Sequence, residues 1–229
     1  MEGTDIIVND SWSRFHHLQN LARLGYDALS PSQVDLSDIN SLPEQHSMGE
    51  EEWQEIRMGL IDSRVIEQNI ARTVFGQTIV SVVYGALEHS IIRLLAEYEV
   101  RIKKSKPNHP GPGKTLNSLE IRAALLAVGF DLSSLPESKE IQIAEEIRHN
   151  VMHRSGWADP AKCKPHLAEA LKKGFPISAA SGSAYDDLVQ IEVHDSFVWH
   201  FLDVCKKSVD SLRRLIELAL EGKSSAVPT

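Results

Sequence analysis

The sequence predicts an all-α fold, an antiparallel helical bundle of four main helices preceded by a helical or irregular N-terminal extension. Three observations carry this. No proline occurs between Pro43 and Pro107, and within that span Phe75, Ile79, Val82, Val83, Ala86, Leu87, Ile91, Leu94, Leu95 and Tyr98 recur three and four apart, the period of one buried helical face. Helix start and stop signals punctuate the remainder of the chain at helical lengths. The connections between the segments so marked are short enough for antiparallel neighbours.

In chain order, residues 1–50 are weakly patterned, carry Ser30-Pro31-Ser32 and run into the acidic Glu50-Glu51-Glu52; they read as a loose arm or a small helical cap. A helix over Glu51–Ile70 leads into the long amphipathic helix, roughly 70–104, with a bend expected near Gly59 or Asp62. The β-branched run Thr78–Val83 would tolerate a strand, but the flanking periodicity is too long for one. Pro107, Pro110, Gly111, Pro112 and Gly113 crowd the next stretch and make it a connection. Asn117 and Glu120 stand at capping-box spacing, and Gly129 stops a helix whose inward stripe is Leu119, Ala123 and Leu126. Ser138 caps the following helix, which runs to about Arg154 with Ile141, Ala144, Ile147 and Val151 inward and Gly156 as its stop. A short helix at Pro165–Lys173, a Gly/Ser-rich stretch from Ile177 to Ala184 and a short edge strand over Leu188–Val193 come next. The last helix, about Ser196 to Leu220, is marked by Phe197, Phe201, Val204, Leu212, Leu215 and Ala219 and ends at Gly222. The chain thus divides into an acidic extension (1–65), a bundle (66–222) and a disordered tail (223–229).

At 229 residues, 42% hydrophobic and 24% charged, the chain can bury a substantial core and falls outside the disordered, collagen-like and disulfide-rich classes. Cys163 and Cys205 stand far apart, which suggests reduced thiols in a cytoplasmic protein with no structural metal and no cofactor. The first residues do not resemble an address signal, and no apolar run approaches the length of a membrane span, so no membrane association is expected. The net charge of −8 at first argues against a nucleic-acid ligand. Its distribution weakens the objection: residues 1–67 hold 13 acidic and 4 basic side chains, whereas 68–229 hold 19 and 20.

The segment richest in chemistry is Arg148-His149-Asn150-Val151-Met152-His153, followed by Arg154-Ser155-Gly156. On a helix, Ile147 and Val151 point to the core while Asn150 and His153 share a neighbouring face. Arg148 lies about 140° around the axis from His153, so its side chain must curl to meet the imidazole. Such a pair offers phosphodiester cleavage without metal. A neutral imidazole takes the proton from a ribose 2′-hydroxyl, and a guanidinium holds the non-bridging oxygens as charge builds on phosphorus. The substrate would be RNA, because DNA lacks that hydroxyl. Asn150 would orient either the phosphate or the imidazole, and a two-fold dimer would supply a second His153 as acid. The plainer explanation is that Arg and His near a helix C-terminus complement its dipole and free carbonyls.

The Arg-x4-His signature late in a helix, with polar residues after the Arg and a Gly after the His, resembles the HEPN superfamily (higher eukaryotes and prokaryotes nucleotide-binding) of all-helical ribonucleases and toxins. An amphipathic helix with Tyr84, Leu87 and Glu88 precedes the motif and a long closing helix follows it, so the resemblance covers roughly residues 70–220. The family most often has Asn directly after the Arg, where His149 stands here. The resemblance implies that Arg148 and His153 line a cleft between two protomers of a homodimer. It further implies that cleavage leaves a 2′,3′-cyclic phosphate without metal, and that the setting is toxin–antitoxin or anti-phage defence, with an antitoxin protein as partner. Some relatives are non-catalytic modules for dimerisation, nucleotide binding or partner binding.

Other features are less specific. Gly111-Pro112-Gly113-Lys114-Thr115 ends like a phosphate-binding loop, but Asn108 stands where the pattern needs Gly and the prolines remove backbone donors. The basic groups Arg101, Lys103, Lys104, Lys106 and Lys162, Lys164, Lys172, Lys173 either steer an RNA backbone or are solvated helix ends. Glu88 either faces Arg148 across the bundle or is a surface carboxylate. The acidic first third is expected to lie over the basic cleft and compete with RNA.

Overall fold

A computed structural model describes residues 2–30, 35–40, 49–100, 118–131, 133, 135, 138–180 and 187–224. The Gly111–Thr115 loop, the basic run 101–106 and the tail beyond residue 224 lie outside these. The described chain is mostly helical: α1 (Glu2–Ala28), α2 (Ser37–Asn40), α3 (Glu50–Tyr98), α4 (Ser118–Ala127), α5 (Ser138–Arg154), α6 (Pro165–Lys173) and α7 (Asp195–Ser224). Three short strands complete it, β1 (Trp157–Ala158), β2 (Ile177–Ala179) and β3 (Val189–Val193).

The central element is α3, whose face from Thr73 to Leu95 is buried among α1, α5, α7 and β3. Gly59 and Asp62 sit within one uninterrupted helix. By length and composition α3 is apolar enough to cross a membrane, yet more than half of its apolar stretch is covered by the rest of the protein. The closing helix α7 buries Phe197, Phe201, Leu202, Val209 and Leu212 against it.

The stripe expected of α4 lies on other residues, Ile121 and Leu125 being buried and Ala123 and Leu126 exposed; two further expectations need correction. The first is the weakly patterned N-terminus, where α1 is neither a loose arm nor a small cap. It is a 27-residue helix packed on α3 and α7, with Val8, Phe15, Ala22 and Tyr26 in the same core as α5. The second is Val189–Val193, which is the middle strand of an antiparallel sheet ordered β1-β3-β2, not an edge. Its neighbours contribute two and three residues, too few for a period-2 pattern to register in the sequence.

The sheet is docked onto α3 through close backbone approach. A Cβ on Gly76 would stand 2.8 Å from the Val193 carbonyl oxygen, so only glycine permits this contact. Tyr26 at the end of α1 donates its hydroxyl proton to that same carbonyl at 2.8 Å, which ties α1, α3 and β3 together at one point.

Candidate functional site

α5 forms because its apolar residues fall on one stripe. Ile141, Ala144 and Ile147 are buried and Val151 packs partly against the same core, as the spacing predicts. The opposite face is left to Glu145, Arg148, His149, Met152 and His153. The helix ends where Ser155 and Gly156 both turn to positive φ, 52° and 83°, and the Gly156 amide donates back to the Asn150 carbonyl at 3.0 Å. Gly156 has no substitute here, because a Cβ would lie 1.9 Å from Oε1 of Gln77. The buried Gln77 amide donates to the carbonyls of Gly156 (3.3 Å) and Ile191 (2.7 Å). One side chain of α3 thereby fixes both the end of α5 and the central strand.

That anchored end opens into a cleft of about 600 Å³ lined by Arg148, His149, Asn150 and His153, all four residues singled out from the sequence. Arg148 does not curl toward His153. It reaches across to α3, donates to the Glu88 carboxylate and lies 5.4 Å over the Tyr84 ring. Glu88 is mostly buried, its side chain 12% exposed, against 36% for Arg148. The guanidinium is therefore held on one side by a charge-assisted hydrogen bond and an aromatic face and remains open to solvent on the other.

His149 and His153 are exposed and adjacent, with ring centroids 4.7 Å apart at a 48° tilt. Asn150 differs from both. It is 2% exposed, and one N–H of its amide donates to the Glu146 carbonyl at 2.9 Å.

Four cations, Arg148, Arg154, Lys162 and Lys164, and three carboxylates, Glu88, Glu145 and Glu146, surround the cleft. The carboxylates are spent on structure. Glu145 accepts from Arg122 at 2.5 Å and lies 3.5 Å from the Lys164 ammonium. Glu146 accepts the Lys164 backbone N–H at 2.8 and 3.1 Å, satisfying a donor at the start of α6. Lys162 is 2.7 Å from Asp159, a pairing that raises the lysine pKa and lowers the aspartate's. Lys172 and Lys173 do not line the cleft; Lys173 pairs with Glu169 at 2.6 Å on the exposed face of α6.

None of the described residues of the acidic extension lines this cleft, whose described lining runs from Glu88 to Lys164. Two acidic side chains of α1 are engaged elsewhere, Asp10 with Arg93 and Asp5 with Arg213. Because α1 is consumed in packing against α3 and α7, it is not available as a competitor for RNA.

Neither cysteine is paired in a disulfide. Burial, with Glu146 and Asp159 nearby, pushes the Cys163 thiol up to about 11, so it is no thiolate nucleophile at neutral pH. Sequence reasoning missed Gln77, Glu146 and the contact between the two imidazoles. Only the last had a signal, the i,i+4 spacing of His149 and His153. No family model matches the chain, and no match is found among curated proteins or solved structures.

Proposed function

We propose that the chain is a metal-independent endoribonuclease of the HEPN type, in which His153 takes the 2′-hydroxyl proton and Arg148 stabilises the phosphorane oxygens. The observation that carries this reading is the shared lining of one solvent-open cleft by Arg148 and His153, with Arg154, Lys162 and Lys164 around it. The exposed imidazole meets the access requirement of a general base. The guanidinium is pre-oriented by Glu88 and Tyr84, and such preorganisation is what electrostatic stabilisation of a transition state demands. The surplus of cations over carboxylates suits a polyanionic strand. In this reading the partner's His153 of a two-fold dimer protonates the leaving 5′ oxygen, and Asn150 and His149 orient the phosphate or the imidazole.

The same reading makes the protein a cytoplasmic homodimer in a toxin–antitoxin or anti-phage role, restrained by an antitoxin protein. Expression in a bacterial host tests it: growth arrest that is relieved by His153→Ala supports the toxin, and indifference to the wild-type chain rejects it. A second reading, a non-catalytic HEPN-like module for dimerisation, nucleotide binding or partner binding, rests on the Arg148–Glu88 ion pair, which already neutralises the guanidinium. Under it, RNA remains intact while the folded protein still self-associates or binds a nucleotide.

A further inference from the structure

We propose that His149 and His153 form a two-histidine site for a divalent transition-metal ion of the Zn²⁺, Ni²⁺ or Cu²⁺ class. The two imidazoles stand one helical turn apart on the exposed face of α5, centroids 4.7 Å apart. A ring bound through nitrogen at ~2.1 Å places its centroid ~3.2 Å from the metal. Two such rings at the observed separation subtend ~95° at the ion, within the range that open coordination geometries adopt.

The site is also preorganised. The backbone of α5 is fixed by the buried stripe Ile141, Ala144 and Ile147 and by the Gln77–Gly156 clamp, so binding orders two side chains and no backbone. Four cations line the same cleft, Arg154 beside His153 among them, and a bound metal ion must tolerate their charge. Arg148, Lys162 and Lys164 are each partnered by a carboxylate. Among the described residues no group of three or more His, Cys, Asp or Glu is placed to hold a metal, so the remaining coordination positions go to water or to an incoming phosphate oxygen. Imidazole ligands select the borderline transition metals, and Mg²⁺ and Ca²⁺ prefer oxygen ligands.

The regulatory consequence rests on the ribonuclease reading. A ring nitrogen that coordinates a metal has no lone pair to accept the ribose proton, so an occupied pair is an inactive site.

The test is isothermal titration of the intact protein with Ni²⁺ and Zn²⁺, with Mg²⁺ as comparison. The expected result is saturable binding of one transition-metal ion per chain. It should weaken at least tenfold in His149→Ala and in His153→Ala, persist in the His16→Ala/His17→Ala variant, and be absent with Mg²⁺. Far-UV circular dichroism should be unchanged, both positions being exposed. Affinity that is unaltered in both α5 variants, or no saturable binding by the wild type, overturns the site. Because this readout needs no catalysis, it stands or falls apart from RNA cleavage. Where cleavage is present, Ni²⁺ should suppress it and a chelator restore it.

Discussion

α3 carries arginine–carboxylate pairs toward both α5 and α1, and of these two it is the α5 pair that lines the cleft. Toward α5, Glu88 accepts from Arg148; toward α1, Arg93 donates to Asp10, with Arg14 3.2 Å away. Their carboxylates differ in burial, 12% side-chain exposure for Glu88 against 39% for Asp10. Their neighbours differ more. The Arg148 pair adjoins two exposed imidazoles and further cations around a hollow. The Arg93 pair adjoins His89, whose pKa is lowered by burial and then by Arg14 and Arg93. An ion pair by itself thus marks packing as readily as chemistry; the cleft and the unspent groups around it make the difference.

The sharpest test of that contrast is functional. Arg148→Ala should reduce RNA cleavage by about 10²–10³-fold, the scale of removing one transition-state donor, whereas Arg93→Ala should leave it unchanged. Single-turnover rates on one oligonucleotide check this, and equal losses in the two variants break the comparison.

Gly156→Ala comes next, because it strikes the clamp that holds the end of α5 to α3. Positive φ alone costs about 1–3 kcal/mol, and the approach to Gln77 adds to it. Urea unfolding should show a lowered midpoint, while Gly59→Ala, with open space at that position, should be neutral or stabilising.

Glu88→Gln keeps the shape of the side chain and removes the charge that orients Arg148. Misplacing a stabilising group should lower kcat by about 10-fold to 100-fold with KM little changed. A stability loss without a rate effect would make Glu88 structural only, like Asp10.

The smallest effect belongs to Asp10→Asn. Asp10 is well exposed, and its hydrogen bond from Arg93 holds its carboxyl below the ordinary value of 3.8. A depressed folded-state pKa stabilises the fold above the unfolded value and loses that contribution as pH falls through the folded one. The gap between wild type and Asp10→Asn, under about 1 kcal/mol after solvent screening, should be present at neutral pH and close below pH 3.8.

Much of this architecture was legible from periodicity and stop signals. Ser138–Arg154 and Pro165–Lys173 coincide with their expected bounds, because dense apolar stripes end in glycines that adopt positive φ. α1 was not legible as a core helix. Its most buried apolar residues, Val8, Phe15 and Ala22, fall seven apart, and its other buried positions include Thr4 and Ser11. Ser11 is tolerated inside because its hydroxyl donates to the Ile7 carbonyl at 2.8 Å, a compensation that hydropathy does not register. In the site, residue types marked Arg148 and His153 at one end of α5, while helical phase left them about 140° apart around the axis. The direction of the Arg148 side chain depended on Glu88, 60 positions away in sequence, and only folding brings those two together.

In the proposed reaction His153 and Arg148 act on one phosphodiester within the cleft. The most direct measurement is incubation of a single-stranded RNA oligonucleotide with the purified protein in excess chelator, followed by mass analysis of the product ends. The account predicts fragments ending in 2′,3′-cyclic phosphate, no cleavage at a position carrying 2′-deoxyribose, and a loss of about 10²–10⁴-fold in His153→Ala. Intact RNA, or cleavage that proceeds equally well in His153→Ala, contradicts it.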